Sequence, residues 1–414
     1  MRTMWRRACG LTVAPLVMAS AVACGGGSDQ AAEGTTLRVI VNITPNLTEK
    51  YWNDLFATYE KAHPGVTVKL ELTGTISADA KLRQDLAAGD PPDVAQQITP
   101  TADTASLFAD LSDQAWTAKT PLADQYAVDG KHYVVGVGEQ IQSLVFYDKA
   151  AFKKAGLDAT GIKTMDQFTA AMGELKDAGY KPLQTAGQWV TGSQFSMMAD
   201  AGVLTEDPKW TAKRNRGKAS FADSGYLSYL RTYKKWIDQG YLDKSALGLT
   251  YADGQTAFLN GKSAMYIMGS FFVPAADAAK KSDDIGVFTM PTDGTYPSGQ
   301  FGNISNPYTV VNKSRHKAEA IEFVKWATTD PQAIKSQLAS DGNLREGFTY
   351  PMSSLGTSVQ KILDKAPSVL VKSGDSQPIA GFSDELNKQV QSLYTGASPQ
   401  AVADGLDKWW NSQG

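Results

Sequence analysis

The sequence predicts a mixed α/β protein of two lobes. Three observations carry that reading: strand-length and helix-period segments alternate from residue 37 onward, the chain is 414 residues long, and no linker divides its body. At roughly 100–200 residues per domain, the length fits two or three domains. Two domains without a linker imply that the chain crosses between lobes more than once.

Leu37-Arg38-Val39-Ile40-Val41 is an apolar run of buried-strand length, followed by a polar turn at Asn42–Asn46. Tyr51, Trp52, Leu55, Phe56 and Tyr59 recur at helical spacing until His63-Pro64-Gly65 stops the helix. Val66, Val68, Leu70 and Leu72 alternate with Thr67, Lys69 and Glu71, the pattern of a strand with one buried face. A second helix runs from about Ala78 to Ala88 and ends at Gly89, and Pro91-Pro92-Asp93-Val94 leads into a third strand. Strand, helix, strand, helix, strand is the rhythm of a mostly parallel sheet with helices on both faces.

Further along, Gly130-Lys131-His132-Tyr133 has the look of a hairpin, and Ile141–Tyr147 is long enough for one crossing strand. Thr164-x-x-Gln167 is a capping box that opens a helix through Phe168, Met172 and Leu175 to Gly179. Asp330-Pro331 and Ser398-Pro399 each set a cap residue before Pro at the first helical position. Trp409 and Trp410 fall on the terminal helix and are read as packing residues. No repeat of roughly 20–50 residues occurs.

Composition excludes several functions. Forty basic against 43 acidic residues give a net charge of −3, and three of the arginines precede Cys24, so the processed chain is more acidic still. No positive field remains for nucleic acid. Two cysteines and three scattered histidines leave no disulfide framework and no thiolate zinc site. No cofactor and no metal are expected.

Residues 1–23 combine arginines, an apolar run from Leu11 to Val22 and a small-residue site at Ala21-Val22-Ala23, the anatomy of a signal peptide. That run is well short of the roughly 20 residues of a spanning helix. Two processing routes fit: ordinary cleavage after Ala-x-Ala, or a lipobox in which Cys24 is lipidated. Ala21 stands where a lipobox usually has Leu, but Gly25-Gly26-Gly27-Ser28 and the polar stretch to Thr36 form a tether, which an anchor at Cys24 explains.

Catalytic motifs are incomplete. Gly261-Lys262-Ser263 lacks the leading Gly of a phosphate loop, since Thr256 holds that place. Gly136-x-Gly138 has Ile141 where a dinucleotide fingerprint needs its third Gly, and no Gly-x-Ser-x-Gly elbow occurs. Paired acids such as Asp283-Asp284 and Asp384-Glu385 lie on polar stretches and read as solvated faces.

Other pieces carry more. Pro91-Pro92-Asp93-Val94 follows a Gly-terminated helix; then come Gly130-Lys131-x-Tyr133, Phe146-Tyr147-Asp148-Lys149 with Phe152 and Ala155-Gly156-Leu157, and Phe258-x-x-Gly261-Lys262-x-Ala264-Met265 leading to Gly269-Ser270-Phe271. The helix Ala318–Trp326 and Gly342 complete the order. Behind a leader and a cysteine, this order resembles the carbohydrate-type extracellular solute-binding lipoproteins of ABC importers, relatives of maltose-binding protein. The resemblance covers nearly the whole mature chain. Gly136 stands where Pro is common in that family, Leu344-Arg345 where a Pro usually follows, and Phe271 where Trp is frequent.

The resemblance implies an α/β, two-lobed periplasmic-binding-protein-like fold of type II, with mixed, mostly parallel sheets, flanking helices and a hinge. Its parts would be a signal peptide at 1–23, a lipidated Cys24 with a tether over 24–36, an N-terminal lobe of 37–138 plus 305–350, and a C-terminal lobe of 139–304 plus 351–414. It implies a monomeric, non-enzymatic receptor that traps a sugar or oligosaccharide between the lobes and delivers it to ABC-importer permease subunits. The lipid would hold it on the outer face of the cell membrane.

A sugar presents apolar C–H faces and a rim of hydroxyls, so its site needs flat aromatic rings edged by amides or carboxylates. Trp189, just after the strand-like Pro182-Leu183-Gln184, matches a stacking position of the family. Phe271 or Phe272 matches another, and Phe382 and Trp116 are further candidates. Polar contacts are expected from Asn42 and Thr44 after the first strand and from Gln96 or Gln97 after Pro-Asp-Val. Glu139 or Gln140 at the hinge and Asn303 near the second crossover complete the set. Each could instead be a cap, a hinge residue or a core ring.

Two other readings stay open. A related receptor could take a polyamine, a phosphate ester, an osmolyte or iron, although no Tyr-Tyr pair suggests a ferric site. A secreted glycan-degrading enzyme would need a carboxylate pair at catalytic separation.

Overall fold

Alternation along the first strand sorts its side chains into two cores: Leu37, Val39 and Val41 enter one, Ile40 the other, and all four are fully buried. The computed structural model describes residues 34–74, 76–292, 302–365, 372 and 376–413. The leader at 1–23, Cys24 and the tether up to residue 33 lie outside the described residues.

The described strands are β1 (Thr35–Val41), β2 (Val66–Leu72), β3 (Val94–Gln96), β4 (Gly138–Ile141), β5 (Leu144–Asp148), β6 (Lys181–Gln184), β7 (Ser263–Met268), β8 (Ile285–Thr289), β9 (Gly302–Ser305) and β10 (Tyr308–Val310). They form three sheets, ordered β10-β3-β1-β2, β4-β9 and β6-β7-β5-β8. In the first, β1 pairs in parallel with β2 and β3, and β10 joins β3 antiparallel. In the third only β6 and β7 are parallel, while β5 runs antiparallel to both of its neighbours. The parallel bias expected from the βαβ rhythm thus holds in the first lobe and is reversed in the second.

Helix caps form where the sequence places them. Thr164 and Gln167 close a reciprocal box at the head of helix Met165–Asp177. The Asp330 side chain accepts from the N–H groups of Gln332 and Ala333, and Ser398 caps helix Pro399–Asn411. The first helix, Glu49–Ala62, turns Trp52, Leu55, Phe56 and Tyr59 onto the first sheet. There they meet Phe323 and Val324 of helix Lys317–Thr329. A fully buried side chain of this size contributes about 1.5–3 kcal/mol. In the second lobe β7 is covered on both faces, with Met265 and Ile267 toward one core and Tyr266 and Met268 toward another.

Two local expectations change. The apolar run Ile141–Tyr147 is two strands rather than one, because Ser143 adopts φ 56° and the chain leaves β4 for another sheet. β2 buries only Val68, since it is the edge strand of its sheet, and Leu72 at its end is exposed.

The middle sheet is the crossing. β4 carries the chain into the second lobe and β9 brings it back, paired antiparallel with Gln140 opposite Asn303. Among the described residues no helix is long and apolar enough to cross a membrane.

Candidate functional site

The crossing ribbon floors a cleft of about 390 Å³, within the range of about 300–1,000 Å³ usual for small-molecule sites. Gln97, Thr99 and Tyr126 line it from the first lobe, and Gln140, Gln142, Asn303 and Ile304 from the ribbon and its continuation. The second lobe contributes Trp189 with the first turns of helix Val190–Glu206, and Phe382, Ser383 and Asp384 at the head of helix Phe382–Ser392.

Trp189 is 41% exposed, an unusual state for an indole within a folded body. Its ring meets Tyr251 at 4.7 Å and stands edge-on to Phe271 at 6.2 Å. The turn that carries it is fixed from several sides. Gln188 sits at φ 52°, its carbonyl accepts from Asn387 Nδ2 and from Gln391 Nε2 at 2.9 Å, and its Oε1 accepts the Tyr251 N–H at 2.9 Å. Gly192 lies against the same helix, where a Cβ would come within 2.6 Å of Asn387 Cα. The indole is therefore held in place by its own neighbours while one side stays open to the cleft.

Of the other expected rings, Phe382 lines the cleft but is only 8% exposed, because Phe221 stacks on it at 5.5 Å and Trp410 meets it edge-on at 4.8 Å. Phe271 lies beside Trp189, whereas Phe272 is fully buried among Phe146, Phe258 and Tyr266. Trp116 packs against the first-lobe core, its Nε1 donating to Gln114 Oε1 at 3.3 Å, and does not line the cleft.

Backbone direction divides the polar candidates. Gln97, turned outward at φ 64°, lines the cleft, while Gln96 is fully buried beside Tyr308. Gln140 lines it with Asn303. Glu139 faces away and pairs by its backbone with Leu344; burial, aided by Glu346, raises its carboxyl. Thr44 Oγ1 caps the Leu47 N–H at 3.0 Å, a loop-building role, and the Asn42 carbonyl accepts from Trp52 Nε1 at 3.2 Å. Neither Thr44 nor Asn42 lines the cleft.

Several lining groups carry no local signal in sequence. Gln142 donates from Nε2 to Gln140 Oε1 at 2.9 Å. The Tyr126 hydroxyl, pushed up to about 12 by burial, accepts the Ile304 N–H at 3.2 Å. Beneath the second-lobe wall, Asp200 accepts from Tyr226 at 2.5 Å and Lys372 at 2.6 Å and bonds the cleft residue Ser196. The carboxylate under the wall is thus already neutralised. Among the described residues no cluster of three His, Cys, Asp or Glu side chains could hold a metal. What the cleft offers a ligand is one open indole, a belt of amides and hydroxyls, the Asp384 carboxylate and the Lys372 ammonium, the last already bonded to Asp200.

Residues 44–334 match the family model described as bacterial extracellular solute-binding protein. A multiple sugar-binding protein of Streptococcus mutans serotype c is 26% identical over 72% of this chain and 73% of its own length. Among solved structures, a chitin oligosaccharide binding protein superposes with a TM-score of 0.79 at 23% identity, covering 92% of this chain and 99% of the other. The solute-binding protein RafE in complex with raffinose gives 0.75 at 19% identity, over 91% and 99%. These likenesses establish the two-lobed fold. With the family model spanning well over half of its residues, this chain belongs to the bacterial extracellular solute-binding proteins.

Proposed function

We propose that the protein is the substrate-binding component of an ABC importer, and that it captures a sugar or oligosaccharide between its lobes and hands it unchanged to the permease. The observation that carries this reading is the exposed, clamped indole of Trp189 above a floor of side-chain amides. An apolar ring face beside hydrogen-bonding groups is the chemistry a pyranose requires. Trp189 would take a ring face, and Gln97, Gln140, Gln142 and Asn303 the hydroxyls. The S. mutans relative and the two solved neighbours, named as sugar binders, support the same class.

The leader, a lipid on Cys24 and the tether would hold a monomer at the outer face of the membrane, within reach of permease subunits. The reading includes no catalysis: Asp200 is committed to Lys372, which leaves Asp384 without a partner carboxylate on the described cleft wall.

Calorimetric and fluorescence titration tests it, with raffinose, mannotriose, chitin oligosaccharide, spermidine and a phosphate ester as ligands. The expected result is saturable 1:1 binding of one sugar class, sugar recovered intact, and affinity lowered about tenfold or more by Trp189→Ala. Binding of spermidine or the phosphate ester alone would move the ligand to another class. Shortened sugar in the recovered pool would make the protein an enzyme.

A further inference from the structure

Asp341 ends helix Pro331–Ser340 and is 5% exposed, directly behind the cleft floor. Three side-chain amides face it: Gln140 Nε2 at 3.0 Å, Asn343 Nδ2 at 3.1 Å and Asn46 Nδ2 at 3.4 Å. Asn46 also donates to the carbonyl of Phe271 at 2.7 Å, the ring beside Trp189. One carboxylate therefore ties the hinge ribbon, the loop after β1 and the aromatic platform together.

We propose that Asp341 is a positioning residue that sets the direction of the amides in the cleft floor, so that Gln142 presents its carbonyl oxygen to a donor hydroxyl of the ligand. The inference rests on the sugar-receptor reading and adds a specificity element to it. An ionised carboxylate can only accept hydrogen bonds, so each amide facing it must turn its NH2 inward. Gln140 commits its NH2 to Asp341, and its Oε1 accepts from Gln142 Nε2 at 2.9 Å. Gln142 is left with Oε1, to which nothing donates among the described residues. A Cβ at residue 269 would lie 2.9 Å from that oxygen and 2.6 Å from Phe271 Cε1, so only a glycine lets the backbone pack this close to the Gln142 amide.

Protonation lifts the demand, because a neutral carboxyl both donates and accepts. A neutral Asp341 has a donor of its own, the Gln140 amide is free to flip, and Gln142 then turns NH2 toward the cleft. Burial raises the Asp341 carboxyl to about 6, while the amides of Asn343, Asn46 and Gln140 pull it down. The phenols whose acidity its charge affects, Tyr51, Tyr251 and Tyr350, are all raised by burial and stay neutral, Tyr350 at about 12. Asp277 also raises Tyr350, and Glu139 on β4 is raised by burial and by Glu346. The Arg345 guanidinium is turned to the carbonyls of Val137, Thr328 and Lys119. No cation answers Asp341, so the amides are its whole shell among the described residues.

The test follows the side-chain amide resonances of Gln140 and Gln142 in ligand-free, nitrogen-labelled protein from about pH 5 to pH 8. They are expected to titrate together with a midpoint near 6 and to be flat in Asp341→Asn. In the second arm, affinity for raffinose, mannotriose or chitin oligosaccharide should fall about tenfold from pH 7 to pH 5. That is the effect of one proton on a site that binds only when ionised, and it should vanish in the variant. Should Asp341→Asn not fold, Gln140→Leu cuts the relay, and the Gln142 amide should then ignore pH. Amides that stay still in the wild type, or move alike in the variants, overturn the proposal. Failure of every sugar to bind would defeat the receptor reading alone, since the resonances are read without ligand.

Discussion

Asn387 holds the backbone of Gln188 and thereby the ring next to it. Its Nδ2 donates to the Gln188 carbonyl, and its Oδ1 accepts from Thr191 Oγ1 at 2.8 Å and the Gly192 N–H at 3.0 Å. Both sides of the amide are used, so one residue of helix Phe382–Ser392 fixes the turn that aims Trp189. Asn387→Ala should cost about 1–3 kcal/mol of stability through unpaired polar groups. It should also lower sugar affinity about tenfold by loosening the platform. Denaturant unfolding and calorimetry on the same variant check both; unchanged affinity would mean that the ring needs no clamp.

Close approach at Gly192 gives a second expectation. An added methyl meets backbone and Cβ atoms of Asn387 at 2.6–2.9 Å, which flexible side-chain motion cannot relieve. Gly192→Ala should therefore push the two helices apart, destabilise by about 1–3 kcal/mol and weaken binding with it. Thermal unfolding and titration report the two effects, and a variant as stable as the wild type would contradict the packing described.

A control lies in the first lobe. Arg38 clasps Glu71 with Nε to Oε1 at 2.6 Å and Nη2 to Oε2 at 3.1 Å, on the strand pair β1–β2. Glu71→Gln should lower stability by about 1 kcal/mol or less, since the pair is partly solvated. Sugar affinity should stay unchanged, because neither residue lines the cleft. A loss of affinity would show coupling between that edge and the site.

The Asp341 carboxyl also predicts a pH dependence of stability. Its folded value of about 6 lies above the ordinary carboxylate range, so the folded chain holds this proton more tightly than the unfolded chain. The stabilisation is complete below about pH 4 and is lost as pH rises through about 6. Urea unfolding at about pH 5 and pH 7 should show a smaller drop in Asp341→Asn than in the wild type. Equal drops would place the titration elsewhere.

Local chemistry explains what could be read from the sequence. The caps at Thr164, Asp330 and Ser398 and the stop at Gly89 depend on residues within a turn of one another, and the structure places them accordingly. Ile141–Tyr147 misled because apolar periodicity does not record a change of sheet, which Ser143 makes with a single positive φ. In the cleft, Trp189 is legible from its place after a strand, whereas the sequence offers Gln97 and Gln140 each as one of two neighbours. Strand parity selects Gln140, and a positive φ just beyond β3 selects Gln97. Gln142, Tyr126 and Asp341 were not legible. Asp341 acquires its surroundings from positions 46, 140 and 343, brought together only by folding.

A crystal structure of the protein with a bound sugar taken from the titration panel would show whether the interlobe cleft is the sugar site. A pyranose ring is expected on the Trp189 indole, with hydroxyls reaching Gln140, Gln142 and Asn303 and the lobes closed over it. A sugar bound outside the interlobe cleft, or seated there without touching Trp189, would contradict this expectation.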